Sequence, residues 1–167
     1  MKLPKTFFQK LIVGSVLIFL AAGISLLIKD ALDTKTPTSA LPILTVKCND
    51  VPISTDSVHM AEYQWNFWTS VERLVNNYNP SDMKEQVIAT NVLPNVPLEI
   101  EYSRSAISTT LSRATSVDSV DFTVVEPDKL GNIYTPPMPG NYIYRVEASF
   151  DRGSVIYYFA ISVTEMY

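Results

Sequence analysis

The chain has 167 residues, with 13 lysine and arginine side chains against 17 aspartate and glutamate side chains. The first 29 residues contain four lysines and no acid, so the remainder holds 9 basic and 17 acidic residues and a net charge of −8. Such a surface repels phosphate backbones, which argues against nucleic-acid binding. The lone Cys48 excludes an intramolecular disulfide and a zinc site of the CxxC type.

An uncharged apolar segment, residues 11–28, follows a short lysine-rich N-terminus. As a helix with a rise of about 1.5 Å per residue it spans roughly 27 Å, about the thickness of a hydrocarbon core. The excess of lysine ahead of the segment predicts that residues 1–10 stay in the cytoplasm and the rest lies outside. We therefore predict a single-pass protein of the cell membrane, whose N-terminus is too short for a cytoplasmic signalling domain.

A cleaved signal peptide is the alternative, because the small residues Ala21, Ala22 and Gly23 could serve a signal peptidase. The apolar run continues past this point to Ile28, however, and is longer than the roughly 7–15 residues of a signal-peptide core. The residue directly after Ala22 is Gly23 and not a cysteine that could accept a lipid anchor. An uncleaved signal anchor is the favoured interpretation.

Residues 29–42 are rich in Thr, Ser, Pro and Ala without apolar periodicity and predict a linker, followed by one domain over 43–167. This domain contains short β-branched and aromatic stretches separated by turn residues, a pattern typical of a two-sheet antiparallel sandwich or a barrel, of which we favour the sandwich. The prediction is an all-β domain of seven or eight strands. The predicted strands are residues 44–48, 51–54, 60–68, 98–103, 109–114, 120–125, 141–150 and 154–164.

The last two predicted strands have the clearest pattern. Apolar and polar side chains alternate along both, and Asp151, Arg152 and Gly153 separate them. Gly153 suits the left-handed position of a three-residue loop with a bulge. The resulting register would place both apolar sets on the same core, because a shift by one residue would bury Arg145 and Glu147.

A long excursion, from about residue 70 to 97, interrupts the strand pattern. The sequence Thr69-Ser70-Val71-Glu72 has the spacing of a capping box, with Leu74 and Val75 at helical intervals after it. We therefore predict one short helix here. Long insertions of this kind are often functional, which makes the excursion the first place to search for a site.

Two aromatic side chains flank this excursion and define a candidate binding surface of Trp68, Tyr78 and Asn79. Trp65 shares one strand face with Tyr63 and Phe67 and is expected in the core, whereas Trp68 lies on the other face and is harder to bury. If Trp68 and Tyr78 are exposed, they could stack on a sugar or contact another protein.

No other side chains form a convincing catalytic, cofactor or metal site. His59, the only histidine, has no nucleophile motif beside it, and Cys48 is expected to be a small buried hydrophobe. Glu99 and Glu101 share one strand face, which favours solvent exposure over a glycosidase pair. The remaining acidic candidates lack the successive ligand spacing that calcium loops need; they are Asp118, Asp121, Glu126 and Asp128.

The C-terminal third resembles the closing hairpin of immunoglobulin-like extracytoplasmic domains of Gram-positive bacteria. The resemblance is carried by Pro139-Gly140-Asn141-Tyr142, by Asp151-Arg152-Gly153-Ser154 and by Tyr157-Tyr158-Phe159, with Tyr63-Gln64-Trp65 upstream as an aromatic strand. It implies a membrane-anchored immunoglobulin-like β-sandwich. The chain departs from true immunoglobulin domains because it lacks the cysteine pair that flanks the core tryptophan.

These observations lead to a functional hypothesis of a non-enzymatic binding domain, acting as a sensory or accessory part of the bacterial cell envelope. Its expected partners are the membrane, through residues 11–28, and another envelope or membrane protein. A carbohydrate-binding module for cell-wall glycan is the alternative, based on the aromatic residues near the excursion. An envelope hydrolase is a third hypothesis, supported only by acidic residues in strands.

Overall fold

A computed structural model of the chain describes residues 5–83, 86–114 and 121–164. The chain divides into two compact units, one made of Met1–Ala40 with Asn66–Val71 and the other of Leu41–Trp65 with Glu72–Tyr167. The described part consists mostly of antiparallel β-sheets with a few helices, one of which is long, apolar and N-terminal.

The long helix, α1, covers Lys5–Asp33 and contains the predicted apolar segment. Its part Phe8–Asp33 contains an 18-residue stretch with a mean hydropathy of 2.7 and is long and apolar enough to cross a membrane. The helix continues five residues beyond Ile28, and a short helix, α2, covers Pro37–Ala40. The stretch predicted as a linker is thus partly helical, because the N–H of Thr34 still donates to the carbonyl of Asp30 and Pro37 suits a first helical position.

The second unit is built around two sheets. A three-stranded sheet has the order β2-β1-β6, and a seven-stranded sheet has the order β4-β3-β10-β9-β7-β8, with β5 paired to β10. The ladders of β1 with β2 and β6, of β10 with β3 and β9, and of β7 with β8 and β9 are antiparallel, whereas β5 runs parallel to β10. The strands are β1 (Leu44–Cys48), β2 (Val51–Pro52), β3 (Val58–Asn66), β4 (Val71–Leu74), β5 (Thr90–Val92), β6 (Leu98–Tyr102), β7 (Ser108–Ala114), β8 (Thr123–Val124), β9 (Gly140–Phe150) and β10 (Gly153–Val163).

The β9–β10 hairpin, which we call the central hairpin, lies in the middle of the larger sheet, and the predicted placement of both apolar sets on the same core is confirmed. Val146 pairs with Tyr157 and Tyr144 with Phe159, so the apolar sets of both strands lie on one face and are buried. The predicted three-residue loop with a bulge is wrong. Gly153 pairs with Phe150, which leaves a two-residue turn, and the only register shift of β10 in the described ladders lies against β3.

Gly153 is required for a different reason. It has a φ of +153°, and a Cβ added there would lie 2.0 Å from the backbone oxygen of Gln64 on β3. Since Gly153 also pairs with Trp65, the start of β10 approaches the backbone of β3 more closely than any side chain permits.

The main core lies between the two sheets. Trp65 is fully buried, as predicted, and its ring meets Phe150 edge-on at 5.9 Å between centroids. Tyr102 of the smaller sheet contacts the rings of Phe150 and Tyr157 of the larger sheet. The Tyr157 hydroxyl donates to the carbonyl of Pro42. Aromatic side chains therefore join the two sheets.

The predicted short helix at residues 69–75 is wrong. Val71–Leu74 forms β4, an edge strand beside β3, and the short helix of the excursion is α3, Pro80–Met83. The capping-box pattern fails because the Thr69 hydroxyl donates to a carboxylate of another segment, Asp30, instead of accepting from the backbone of a following turn.

The excursion covers the outer face of the central hairpin. Met83 is fully buried in a second apolar cluster, and half-buried Tyr78 packs at its edge. The amide of Asn76 donates to the carbonyl of Ala61 at 2.6 Å and fixes the excursion against β3. The other buried members of the cluster are Ala61, Val87, Ile143, Tyr158 and Ala160. The central hairpin is therefore covered on both faces over part of its length.

Candidate functional site

The predicted binding surface of Trp68, Tyr78 and Asn79 has members in very different surroundings. Trp68 is 75 % exposed. Tyr78 is half buried, its ring lies 6.2 Å from that of His59 and 6.3 Å from that of Tyr158, and its carbonyl accepts the Tyr158 hydroxyl. Of the two aromatics, only Trp68 offers an open ring face.

Asn79 has a structural task at the start of α3. Its side-chain oxygen accepts from the hydroxyl of Ser81 at 2.6 Å and from the N–H of Asp82 at 3.3 Å. The Asp82 carboxylate in turn accepts the N–H of Asn79 at 3.0 Å. This reciprocal arrangement is that of a capping box, which satisfies the free donors of a helix N-terminus.

The single histidine and the single cysteine are both placed in β-structure. His59 lies on β3, pairs with Tyr158 and contacts the ring of Tyr78. Cys48 ends β1 and is 6 % exposed, and burial raises the pKa of its thiol to about 11. At neutral pH this thiol is protonated and is a poor nucleophile.

The acidic candidates are held in loops or on a sheet surface. Backbone N–H groups of Asn132 and Leu130, each 2.8 Å away, lower the pKa of Asp128 and make it the centre of a turn. Glu101 pairs with Lys47 at 2.6 Å. Asp118 lies outside the described residues. In the described part of the chain, no three His, Cys, Asp or Glu side chains lie close enough to hold a metal ion.

A groove of about 530 Å³ in the second unit is lined by residues of β6 and β7. Its apolar lining includes Ile100 and Leu111, and the side chains of Glu99 and Glu101 lie at the exposed surface of β6. We call this the β6 groove. Its other lining residues are Pro97, Leu98, Thr109, Val125, Pro127, Gly131, Asn132 and Ile133.

Among the described residues, the far edge of β6 is bonded only at its start, through Leu98 to Ile133 and through the bridge between Pro97 and Tyr134, and it is open over Ile100 and Tyr102. The carbonyl of Pro97 accepts the N–H of Asn49, and the N–H of Ser103 donates to the carbonyl of Ile43, so both groups point toward the β1 side. Glu99 and Glu101 lie at two-residue intervals between them, and their backbone groups therefore point toward β1 as well. The N–H of Leu98 points the other way and donates to Ile133. Ile100 and Tyr102 therefore direct their backbone groups away from β1, and β6 is the last strand of its sheet among the described residues.

A second groove, of about 520 Å³, lies beside β8. Arg113 contributes to its lining, and the guanidinium carbon of this residue lies 5.5 Å from the ring centre of Tyr142. Thr135 closes its floor, donating to the carbonyl of Leu93 and accepting the N–H of Val96. The hydroxyl of Thr135 is therefore occupied within the fold.

Sequence reasoning missed two features of these surfaces. The alternation of Glu99 and Glu101 predicts a solvent face in preference to a glycosidase pair, and the position of β6 at a sheet edge has no local signal in the sequence. Asp30 was counted as part of a linker, yet it is 3 % exposed, and its carboxylate accepts hydrogen bonds from Trp68 and Thr69. The sequence signal for this role of Asp30 was the presence of an acidic residue two positions after the apolar run.

Comparison of the chain with protein-family models, with curated proteins and with solved structures finds no match.

Proposed function

We propose that the chain is a non-enzymatic binding protein of the bacterial cell envelope, anchored in the membrane by α1 with its β-domain outside the cytoplasm. The lysine excess before residue 11 supports this orientation. The two sheets and their shared aromatic core support an immunoglobulin-like sandwich as the finer description of the fold.

The observation that carries the proposal is the open edge of β6 beside an apolar groove. A free strand edge offers backbone donors and acceptors to an extended segment of another protein, which then adds as a further strand. The groove supplies apolar contacts for alternate side chains through Ile100 and Leu111. The proposed partner is therefore an extended segment of an envelope or membrane protein.

Charge narrows the chemistry of that partner. Glu99 and Glu101 are exposed along β6, with Lys47 as the cation paired to Glu101. The chain beyond residue 29 has a net charge of −8. A segment that alternates basic and apolar side chains complements both the carboxylates and the groove.

The test uses the full-length chain in lipid nanodiscs and a fluorescent peptide of alternating Lys and Val. We expect binding that weakens when Glu99 and Glu101 are both changed to Gln, and a peptide of alternating Glu and Val should not bind. The matched control is the Lys-Val peptide with N-methyl groups on the residues that would pair with β6. Equal binding of the methylated peptide would show charge attraction without strand addition and would reject this mode of binding.

The glycan alternative has less support in the structure. A stacking platform for a sugar needs open aromatic faces, and Tyr78 is packed against His59 and Tyr158. Trp68 alone remains exposed, and its surroundings favour a different role.

A further inference from the structure

The turn between β3 and β4, residues 67–70, has an unusual acceptor. The N–H groups of Trp68 and Thr69 donate to the two carboxylate oxygens of Asp30 at 2.8 and 3.0 Å, and the Thr69 hydroxyl donates at 2.6 Å. The N–H of Phe67 donates to the carbonyl of Ser70 at 2.8 Å and closes the turn. We call residues 67–70 the tip turn.

This carboxylate is buried, since Asp30 is 3 % exposed. A buried carboxylate is retained only where several donors replace its lost water, and consecutive backbone N–H groups form such an anion-binding concavity. The tip turn and the end of α1 therefore belong to one compact unit.

The position of Asp30 along α1 sets the depth of the tip turn. Asp30 follows Ile28, the last residue of the uninterrupted apolar run, by two positions, which is about 3 Å along a helix axis. The headgroup layers add roughly 5–8 Å to each side of a hydrocarbon core. A backbone within hydrogen-bond distance of Asp30 therefore lies at the level of the headgroups when α1 spans the bilayer.

The side chain exposed at this level is a tryptophan. Trp68 is 75 % exposed, and the next strand begins with Val71, which is 60 % exposed. Indole rings concentrate at the membrane–water interface, where the ring is shielded from water and the N–H keeps a polar partner.

We propose that the tip turn is a second membrane contact of this chain, in which Trp68 inserts into the headgroup layer of the bilayer that α1 crosses. Asp30 acts as a positioning residue, because its carboxylate holds the turn at that depth. The inference rests on the membrane anchor of the proposed function, and it is independent of the β6 groove.

The test measures the fluorescence of Trp68 in phosphatidylcholine liposomes that carry a nitroxide either on the headgroup or near the end of the acyl chain. The chain has two tryptophans, and Trp65 is fully buried. The difference between the wild-type spectrum and that of Trp68→Phe isolates Trp68 without disturbing the core. We expect loss of this emission with the headgroup nitroxide, little loss with the deep one, and protection from aqueous iodide.

Two variants sharpen the result. The Trp65 emission that remains in Trp68→Phe should be unaffected by either nitroxide. Asp30→Asn should reduce headgroup quenching of Trp68 and increase iodide quenching, whereas Asp33→Asn, a matched change on the same helix, should leave both as they are.

The outcomes separate the two proposals. Trp68 emission that iodide quenches freely and the headgroup nitroxide leaves intact, in a chain that floats with the liposomes, would reject the membrane contact and leave the anchor standing. A chain that does not float with liposomes would reject the anchor, and the contact with it.

Discussion

The β9–β10 turn and the tip turn both connect neighbouring strands of the larger sheet, but they are held in place differently. Residues 151–152 join two strands of eleven residues each, whose alternate apolar side chains are buried. The tip turn exposes Trp68, and the Asp30 carboxylate fixes its backbone. One turn follows from the strands on either side, whereas the other depends on an acceptor 38 residues away.

The magnitudes explain why the first arrangement is the more robust. Each buried Val, Ile or Phe of the central hairpin contributes about 1.5–3 kcal/mol by removal from water. Each hydrogen bond to a charged group contributes about 1.5–3 kcal/mol, but the carboxylate must first lose its own hydration. Many apolar contacts therefore stabilise the central hairpin, and a small net gain stabilises the tip turn.

The largest effect is expected at the start of β10. Gly153→Ala places a Cβ 2.0 Å from the backbone oxygen of Gln64, so β3 and β10 must separate. We expect the free energy of unfolding to fall by about 3–5 kcal/mol. Urea denaturation of the full chain in detergent micelles measures this loss.

Gly131→Ala is the control, because Gly131 has a φ of +87° but no atom within 4 Å of the added Cβ. Its cost should be the backbone strain alone, about 1 kcal/mol. Equal losses in the two variants would show that the contact with Gln64 has no special weight.

An intermediate effect is expected on the outer face of the central hairpin. Met83 is fully buried in the second cluster, so Met83→Ala leaves a cavity there. We expect a loss of about 2–3 kcal/mol in the free energy of unfolding. Met138→Ala is the matched change at a side chain that is 69 % exposed, and it should cost less than about 0.5 kcal/mol.

If Met83→Ala were as mild as Met138→Ala, the excursion would add little to the stability of the sheet. The central hairpin would then depend on one covered face instead of two.

The smallest effect is local to the tip turn. Asn at position 30 keeps the shape of Asp but removes the charge that strengthens the hydrogen bonds from Trp68 and Thr69. We expect the amide hydrogens of these two residues to exchange about tenfold faster in Asp30→Asn, which corresponds to about 1.4 kcal/mol. Hydrogen exchange with mass spectrometry measures this change, and peptides from β9 and β10 should be unaffected.

Faster exchange throughout the sheet would contradict the local role of Asp30. Unchanged exchange at Trp68 and Thr69 would show that the turn keeps its conformation without the carboxylate.

The parts of the fold that sequence patterns predicted are those with local causes. The strand Leu44–Cys48 was predicted with its observed bounds, and the two strands of the central hairpin were each within one residue at both ends. Period-two alternation of apolar side chains is a property of neighbouring residues, so it can be recognised from the sequence alone. Trp65 was placed in the core by the same pattern.

The parts that were not predicted have distant causes. β4 and β5 are short strands defined by their partners, β3 and β10, and not by their own composition. Thr69 begins a sequence pattern typical of a helix N-terminus, but its hydroxyl donates to Asp30, 39 positions away, and no helix forms there. For the candidate site, exposure of Trp68 was anticipated conditionally, whereas the packing of Tyr78 and the capping by Asn79 emerged only from the fold.

The contact between Asp30 and the tip turn also affects how the β-domain can be produced as a soluble fragment. A fragment that begins after α1 retains Trp68 and Thr69 but loses the carboxylate that accepts their N–H groups. In this fragment water replaces the Asp30 carboxylate as hydrogen-bond acceptor, and the exposed indole of Trp68 can contact other molecules in solution. A fragment boundary chosen from the strand pattern alone would therefore remove part of a folded unit. A fragment with an acidic residue fused at its new N-terminus would retain a carboxylate acceptor for the tip turn.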